Sequence, residues 1–505
     1  MQFRGESAVV AKSKVLLVDL NNYARYPSLG IGYLVEPLRS AGYKVELLSP
    51  MAHGQSGVMR EHQENILDHM MRRIYMAPPS WLWQHQDWLY EIYRVWKQRL
   101  TFQLRNLLQA EIERNKPDVI LLSAYLSHRK PVEFIAGIAA RLGVPVLLGG
   151  PAFTLPGAAE DWARITGVSA VFSGEAEFVI VDLVRALIRG VSVYNHPGIF
   201  VHSEKTAQVG CGSILDPLSE LNELPIPDLS DFPWELYPHR IVPLMASRGC
   251  GWGRCTFCSD VITANGRTFR SRSLEHVLHE IEMQSKRYQA QDFIFLDIKL
   301  NSDINLWRGI IDNIQKRVPG AKWIGTVHVN SMGDNGLDQD TLARAYESGL
   351  VRVSFGMESG SQKVLRRMAK GCKVELNEAF IRAASRAGIS VRSTMMIGYP
   401  GESISDVDLT TQFLERNAEY LDRIKLCRFK PIPGTAFQSL YDHRPERFED
   451  IQVFKWDYRF ARASYRPSQM RDRRYRLAVL EMLNVVHIIN RKPLRDNMIQ
   501  FDGLM

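Results

Sequence analysis

Three of the six cysteines fall within nine residues, in Arg248-Gly249-Cys250-Gly251-Trp252-Gly253-Arg254-Cys255-Thr256-Phe257-Cys258. Three thiolates on one short loop can hold three irons of a [4Fe-4S] cube and leave the fourth iron open. The glycines let such a loop wrap a metal cluster closely. Two other readings compete. A disulfide framework needs pairs, and Cys211, Cys372 and Cys427 are scattered without a pattern. A structural zinc site takes four ligands, and no nearby His or Cys supplies a fourth. The spacing therefore favours an iron–sulfur cluster ligated by Cys250, Cys255 and Cys258.

The elements that must carry this loop read as alternating strands and helices. From Ile241 onward, candidate strands are Ile241–Ala246, Phe293–Asp297, Trp323–His328, Val351–Met357, Val391–Ile397 and Arg423–Phe429. Helical patterns lie between them, such as Leu274–Arg287, Asp340–Ser348 and Leu376–Ala387. Six βα units predict an open parallel (β/α)6 barrel over 241–440. Chemistry in such barrels sits at the carboxyl ends of the strands. The cysteine loop follows the first strand, where that rule places it.

Residues 1–200 give a second α/β unit. Val15–Leu20, Lys44–Ser49, Asp118–Ser123, Val144–Gly149 and Val171–Gly174 read as strands, with helices over Leu29–Ala41 and Val132–Leu142. The alternation predicts a doubly wound, Rossmann-like sheet. Ligands in such sheets bind at the strand carboxyl ends. Asn21, Ser123, Gly149, Gly150, Gly174 and Glu175 fall there. Residues 51–115 interrupt this unit with Trp81, Trp83, Trp88 and Trp96, and with Tyr75, Tyr90 and Tyr93. Their rhythm predicts two or three helices, and an aromatic stripe is more often core than ligand site. Pro217, Pro225, Pro227 and Pro233 mark a linker over 201–240. Residues 441–505 predict a small, mostly helical region. From Lys455 to Arg476 it carries eight Lys or Arg against two Asp, with interleaved aromatics. That pattern suits a nucleic acid or an anionic ligand, although a solvated helical face is its ordinary meaning.

Composition sets bounds. The chain has 505 residues and a formal net charge of +8. No apolar run reaches the eighteen residues a membrane span needs. No signal peptide is visible, and few cysteines fit a reducing cytosol, so a cytoplasmic protein is expected.

The cysteine loop resembles the cluster motif Cys-x3-Cys-x2-Cys of the radical S-adenosylmethionine (SAM) superfamily. The first gap here is four residues, Gly251 to Arg254, and the second matches. Further elements follow in the family's order. Asp297-Ile298-Lys299 ends the second strand. Gly356-Met357-Glu358-Ser359-Gly360-Ser361 ends the fourth, and Ile397-Gly398-Tyr399-Pro400-Gly401-Glu402 the fifth. The resemblance implies that the open iron chelates SAM. It places Asp297 at the SAM amino group, Glu358 and Ser359 at its polar part, Gly398 near the nucleoside, and Phe257 near adenine. Arg392 is a candidate partner for the SAM carboxylate, with an ion pair elsewhere in the barrel as the alternative.

The N-terminal unit is similar to the cobalamin-binding domain that precedes many radical SAM cores. The resemblance rests on Tyr26–Leu34, Lys116-Pro117-Asp118, Gly149-Gly150-Pro151 and Ser173–Glu177. Corrinoid mutases carry a cobalt-ligating His after the first strand. Asp19-Leu20-Asn21-Asn22-Tyr23 stands there, so any cobalamin is expected without a histidine ligand. Together the resemblances imply a cobalamin-dependent radical SAM methyltransferase acting on an unactivated carbon of a small molecule or peptide. They also imply a one-electron donor of the flavodoxin or ferredoxin type, or a dedicated reductase. A non-methylating radical SAM reaction, with or without cobalamin, is the alternative. So is an iron–sulfur or corrinoid protein without SAM turnover. A tRNA-acting methylthiotransferase would carry three further N-terminal cysteines, so nucleic acid is not the expected partner.

Overall fold

The computed structural model describes residues 13–79, 103–155, 157–203, 208–211, 215–260 and 268–504. Trp81, Trp83, Trp88, Tyr90, Tyr93 and Trp96 lie outside the described residues.

The N-terminal sheet is built from β1 (Lys14–Val18), β2 (Lys44–Leu48), β3 (Val119–Ser123), β4 (Val146–Gly149) and β5 (Ala170–Phe172). β6 (Ile199–Ser203) and β7 (Gln208–Cys211) extend it. The strand order is β2-β1-β3-β4-β5-β6-β7. The first five strands are parallel. β6 and β7 add antiparallel pairs. Val15–Val18 and Val119–Leu122 are buried on both faces, as parallel strands between helices must be. The sheet runs past the expected boundary at 200, because the 199–211 hairpin covers the β5 edge instead of leaving it unpaired. Of the predicted insertion, helices Ile66–Met76 and Gln103–Asn115 are described. The first is capped by Asn65, whose side chain accepts the Asp68 N–H while Asp68 returns the bond.

The second sheet holds β8 (Ile241–Leu244), and the short β9 (Ser247–Arg248) and β10 (Arg270–Ser271) form a separate ribbon beyond it. β11 (Asp292–Phe295), β12 (Lys322–Val327), β13 (Leu350–Glu358), β14 (Ser390–Ile397) and β15 (Arg423–Arg428) complete it. Their spatial order is their chain order, and all neighbours are parallel. This is the expected six-stranded partial barrel. Its strands alternate faces. Phe293, Phe295, Trp323, Val353 and Val391 pack outward with the helices. Ile294 and Ile324 face the concave side, against Met498, Phe501 and Leu504. The C-terminal segment therefore fills the lower lumen.

The open edge at β15 is closed by a side chain. Asn490 accepts the Ile424 N–H at 2.7 Å and donates to the Ile424 carbonyl at 2.9 Å, imitating a strand partner. Glu64 fixes Asn490 in turn, at 3.0 Å. The C-terminal region is helical over Arg473–Asn490, as expected. It also contains a hairpin, β16 (Ile451–Asp457) and β17 (Arg462–Pro467), onto which much of the basic and aromatic stretch maps. Among the described residues no helix is long and apolar enough to cross a membrane.

Candidate active site at the carboxyl ends of both sheets

The cysteine loop leaves β8 through β9 and returns along β10. Gly249 has φ +87, and a Cβ there would lie 1.7 Å from the Thr268 carbonyl oxygen. No other residue fits that turn. Cys250 is buried; Cys255 and Cys258 are half-buried. Within the first gap Gly253 takes φ +55 and Trp252 is anchored to the barrel. The Trp252 indole N–H donates to the Ala369 carbonyl at 2.8 Å. Its ring lies so close to Gly371 that a Cβ there would come within 2.3 Å. Thr256 ties down the other end. Its N–H donates to the Met368 carbonyl at 3.0 Å, and its carbonyl accepts the Phe437 N–H at 2.7 Å. The loop is thus held at several points by the barrel itself.

Asp297 sits directly behind it, buried at the end of β11. Its carboxylate accepts the Ala246 N–H at 3.0 Å and the Ser247 hydroxyl at 2.5 Å. Burial pushes its pKa up to about 6 against these bonds. Both oxygens bond the start of the cysteine loop, so Asp297 positions that loop. Arg392 takes part in an ion pair within the protein. It pairs with Glu61 at 3.3 Å, and Glu61 also reaches Arg352 at 3.5 Å. Two inward arginines on neighbouring strands share one carboxylate, which is the ion-pair alternative.

A buried charged group lies beside the sulfurs. Lys370 donates to Glu358 at 2.9 Å, and both side chains are buried. Burial alone lowers the Lys370 pKa. Glu358 and the Cys255 sulfur outweigh it and hold the ammonium above its ordinary value. Lys299 is pushed down to about 8, by burial first and Lys370 second. Burial raises the Cys255 pKa, while Lys370 and Lys299 oppose that rise. The two ammoniums favour the thiolate that metal ligation needs. Glu358 adopts φ +62, which is unfavourable for a residue with a Cβ and is found where surroundings hold it for a purpose. His328, at the end of β12, has a buried Nε2 without a hydrogen-bond partner. Burial and the two lysines keep its ring neutral. The Phe257 ring lies 5.9 Å from the Lys370 ammonium.

The later turns are braced rather than loose. The Ser359 hydroxyl bonds Thr410 at 3.2 Å and accepts the Ser361 N–H at 3.1 Å. Gly398, at φ +73, donates its N–H to Glu402 at 2.6 Å. The same Glu402 oxygen accepts the Tyr475 hydroxyl at 2.6 Å, so the C-terminal helix fixes this turn. Burial pushes Glu402 up to about 7.

At the carboxyl ends of β1, β3, β4 and β5 a narrow apolar slot opens beside the sheet. Ser123, Gly149, Gly150 and Gly174 line it, together with Leu17, Leu121, Leu147 and Phe172. It straddles β1 and β3, where the strand order reverses, the usual ligand crevice of such sheets. A Cβ on Gly149 would meet nothing nearer than the Phe172 carbonyl oxygen at 3.9 Å. The slot therefore has room that the sequence leaves empty. Gly150, at φ +122, serves the backbone instead, since a Cβ there would lie 2.6 Å from the Ala124 oxygen. Asn21 and Glu175 do not line the slot. The Asn21 N–H donates to Asp19 at 3.1 Å. Glu175 bridges the two halves of the molecule, at 3.1 Å from Arg248 and 2.8 Å from Arg270. Glu177 reaches Arg248 at 2.6 Å. Sequence reading missed Glu177, Trp252, Lys299 and Lys370 as site residues. Only their adjacency to Glu175, Cys250, Asp297 and Cys372 could have flagged them.

Residues 244–414 match the Radical SAM superfamily. With the cysteine loop and partial barrel described above, these residues form a radical SAM domain. An uncharacterized methyltransferase of Pyrococcus horikoshii is 26% identical over 332 residues, spanning 64% of this chain and 69% of that protein. The radical SAM methyltransferase TsrM of Kitasatospora setae, solved with cobalamin and a [4Fe-4S] cluster, has the same fold: TM-score 0.61, 18% identity, 88% of this chain and 81% of that one. So does the cobalamin-dependent SAM radical enzyme OxsB, solved with aqua-cobalamin: TM-score 0.65, 19% identity, 90% of this chain and 64% of that one.

Proposed function

We propose that this enzyme is a cobalamin-dependent radical SAM C-methyltransferase. The observation that carries the reading is the bridge from the Gly174–Glu177 turn to Arg248. It ties the turn beside the apolar slot to the loop that carries the cysteines. The methyltransferase and cobalamin-bound relatives support it.

The donor sets fit both groups. Cys250, Cys255 and Cys258 offer three sulfurs on a braced loop and no fourth, which suits a cluster with one open iron. The slot is apolar, glycine-floored and lacks a histidine at the position after β1, which suits a corrinoid bound without a protein ligand to cobalt. When bound, these groups supply reductive SAM cleavage and a transferable methyl. The chain's own residues do the rest. Trp252 and Thr256 fix the loop that carries the sulfurs. Lys299 and Lys370 stabilise the thiolates. Glu358, Ser359 and the Gly398 turn face the side on which SAM would lie. The filled lower lumen keeps water from entering by the barrel floor. A one-electron donor of the flavodoxin or ferredoxin type, or a reductase, would serve the cluster.

Anaerobic reconstitution tests the proposal. The expected result is one cubane cluster and one corrinoid per chain, and 5′-deoxyadenosine together with S-adenosylhomocysteine when SAM, reductant and substrate are supplied. Release of 5′-deoxyadenosine alone, without methyl consumption, would favour a non-methylating radical reaction.

A further inference from the structure

Outside the cysteine loop and the slot, Glu64, His69 and His487 bring three metal-ligating groups together. Glu64 stands just before the helix Ile66–Met76, and His69 lies near the start of that helix. His487 lies in the last turn of Arg473–Asn490. Their donor atoms are all within 4.8 Å of one another. Glu64 Oε1 is 3.3 Å from His487 Nδ1 and 3.7 Å from His69 Nδ1. Donors bound at roughly 2.1 Å around a tetrahedral zinc ion stand about 3.4 Å apart. The two measured separations are close to that coordination edge.

The surroundings aim these atoms. Glu64 is buried, and its other oxygen is taken. Oε2 accepts the Asn490 amide at 3.0 Å and pairs with Arg72 at 2.8 Å. That leaves Oε1 to the imidazoles, in the way outer partners orient a ligating carboxylate. Three further bonds fasten the flanking elements. Arg73 donates to Asn484 at 2.7 Å, Gln63 to the Arg491 carbonyl at 2.6 Å, and the Glu64 N–H to the Asn490 carbonyl at 3.2 Å. The two imidazoles stack, with centroids 4.3 Å apart. His487 Nδ1 is within hydrogen-bond distance of Glu64. His69 Nδ1 is buried and bonds nothing among the described residues. It is too far from Oε1 for a hydrogen bond and near enough to share a metal ion with it.

We propose that Glu64, His69 and His487 bind one divalent transition-metal ion, zinc by its ligand chemistry, with solvent in the fourth position. On binding, each imidazole turns about its Cβ–Cγ bond to aim its Nδ1 lone pair, which the partial exposure of both rings allows. The Arg72 charge offsets part of the carboxylate's, so the ion binds reversibly. It pins the helix Ile66–Met76 to the C-terminal helix. Through Glu64 and Asn490 it also stiffens the open edge of the barrel at β15. The site uses none of the residues of the proposed methyl transfer and stands or falls without it.

Untagged, full-length protein carrying its cluster is titrated anaerobically with zinc chloride by calorimetry, so that the loop thiolates are already occupied. One zinc per chain is expected. His69→Ala and His487→Ala should each weaken binding by more than about tenfold, since loss of an outer partner alone costs that much. Iron content and far-ultraviolet circular dichroism should stay native. His69 Nδ1 makes no hydrogen bond, so His69→Ala decides the matter even where His487→Ala unfolds the chain. Hydrogen exchange gives a second reading. Zinc should slow the peptide containing Ile424, whose N–H donates to Asn490, in the wild type and not in His69→Ala. No saturable zinc binding, an affinity unchanged by His69→Ala, or an Ile424 peptide indifferent to saturating zinc overturns the proposal.

Discussion

Arg248 Nη2 lies 2.6 Å from Glu177 Oε1, and both side chains are about nine-tenths buried. Arg248 belongs to the loop that carries the cysteines, and Glu177 to the turn beside the apolar slot. Neighbouring carboxylates hold the guanidinium above its already high pKa despite its burial. Removing Glu177 leaves Arg248 with Glu175 alone, at 3.1 Å and shared with Arg270, so the loss should fall below the about 3–5 kcal/mol of a fully uncompensated buried charge. Glu177→Ala should therefore lower the urea midpoint. The double variant Arg248→Met with Glu177→Leu should recover much of the loss, as a denaturant-based double-mutant cycle would show.

The sulfur ligands give the next expectation. Replacing Cys250, Cys255 or Cys258 singly by Ala should abolish stable cluster incorporation, read as iron and sulfide per chain and as loss of charge-transfer absorbance. Cys427→Ala should keep the cluster. Full iron content in any of the three loop variants would remove the basis of the site.

Gly371 tests whether the loop is held by the barrel. Its φ is +71, and a Cβ there would stand 2.3 Å from the Trp252 ring, which leaves no room for a side chain. Gly371→Ala should displace Trp252 and reduce cluster retention while far-ultraviolet circular dichroism stays native. A smaller ring in Trp252→Phe, combined with Gly371→Ala, should restore part of the retention.

Glu402 predicts a pH dependence. Burial raises its folded pKa from 4.5 to about 7. The native state then holds a proton that the unfolded chain releases between those values. Its contribution is fully present below about pH 4.5 and is lost as pH rises through 7, a change on the order of 3 kcal/mol. Glu402→Gln keeps an oxygen for the Gly398 N–H and the Tyr475 hydroxyl without the ionisation. The stability difference between wild type and variant should therefore move in favour of the variant from pH 4.5 to 7.5, in urea titrations at each pH.

The slot makes a steric prediction. Gly149 has open space where its Cβ would stand, so Gly149→Leu should fill the slot without disturbing the sheet. Corrinoid binding should fall at least tenfold by absorbance titration, with cluster content unchanged. Normal corrinoid affinity would place the ligand elsewhere.

Much of this was legible in the chain itself. Period-two and period-3.6 patterns are local, so the parallel strands of both sheets and the helices between them could be read along the sequence. The close spacing of Cys250, Cys255 and Cys258 sufficed to point to a cluster. Glycines with a positive φ, such as Gly249 and Gly398, marked turns for the same local reason. Partnerships across the fold were not legible. Asp297 caps the loop start, Arg392 answers Glu61 from 331 residues away, and Glu175 leaves the slot to grip Arg248 and Arg270. A charged side chain at a strand end suits a ligand or a protein partner equally well. Only the packing of one domain on the other determines which counter-charge arrives within ion-pair distance, and that is a property of the whole chain rather than of any segment.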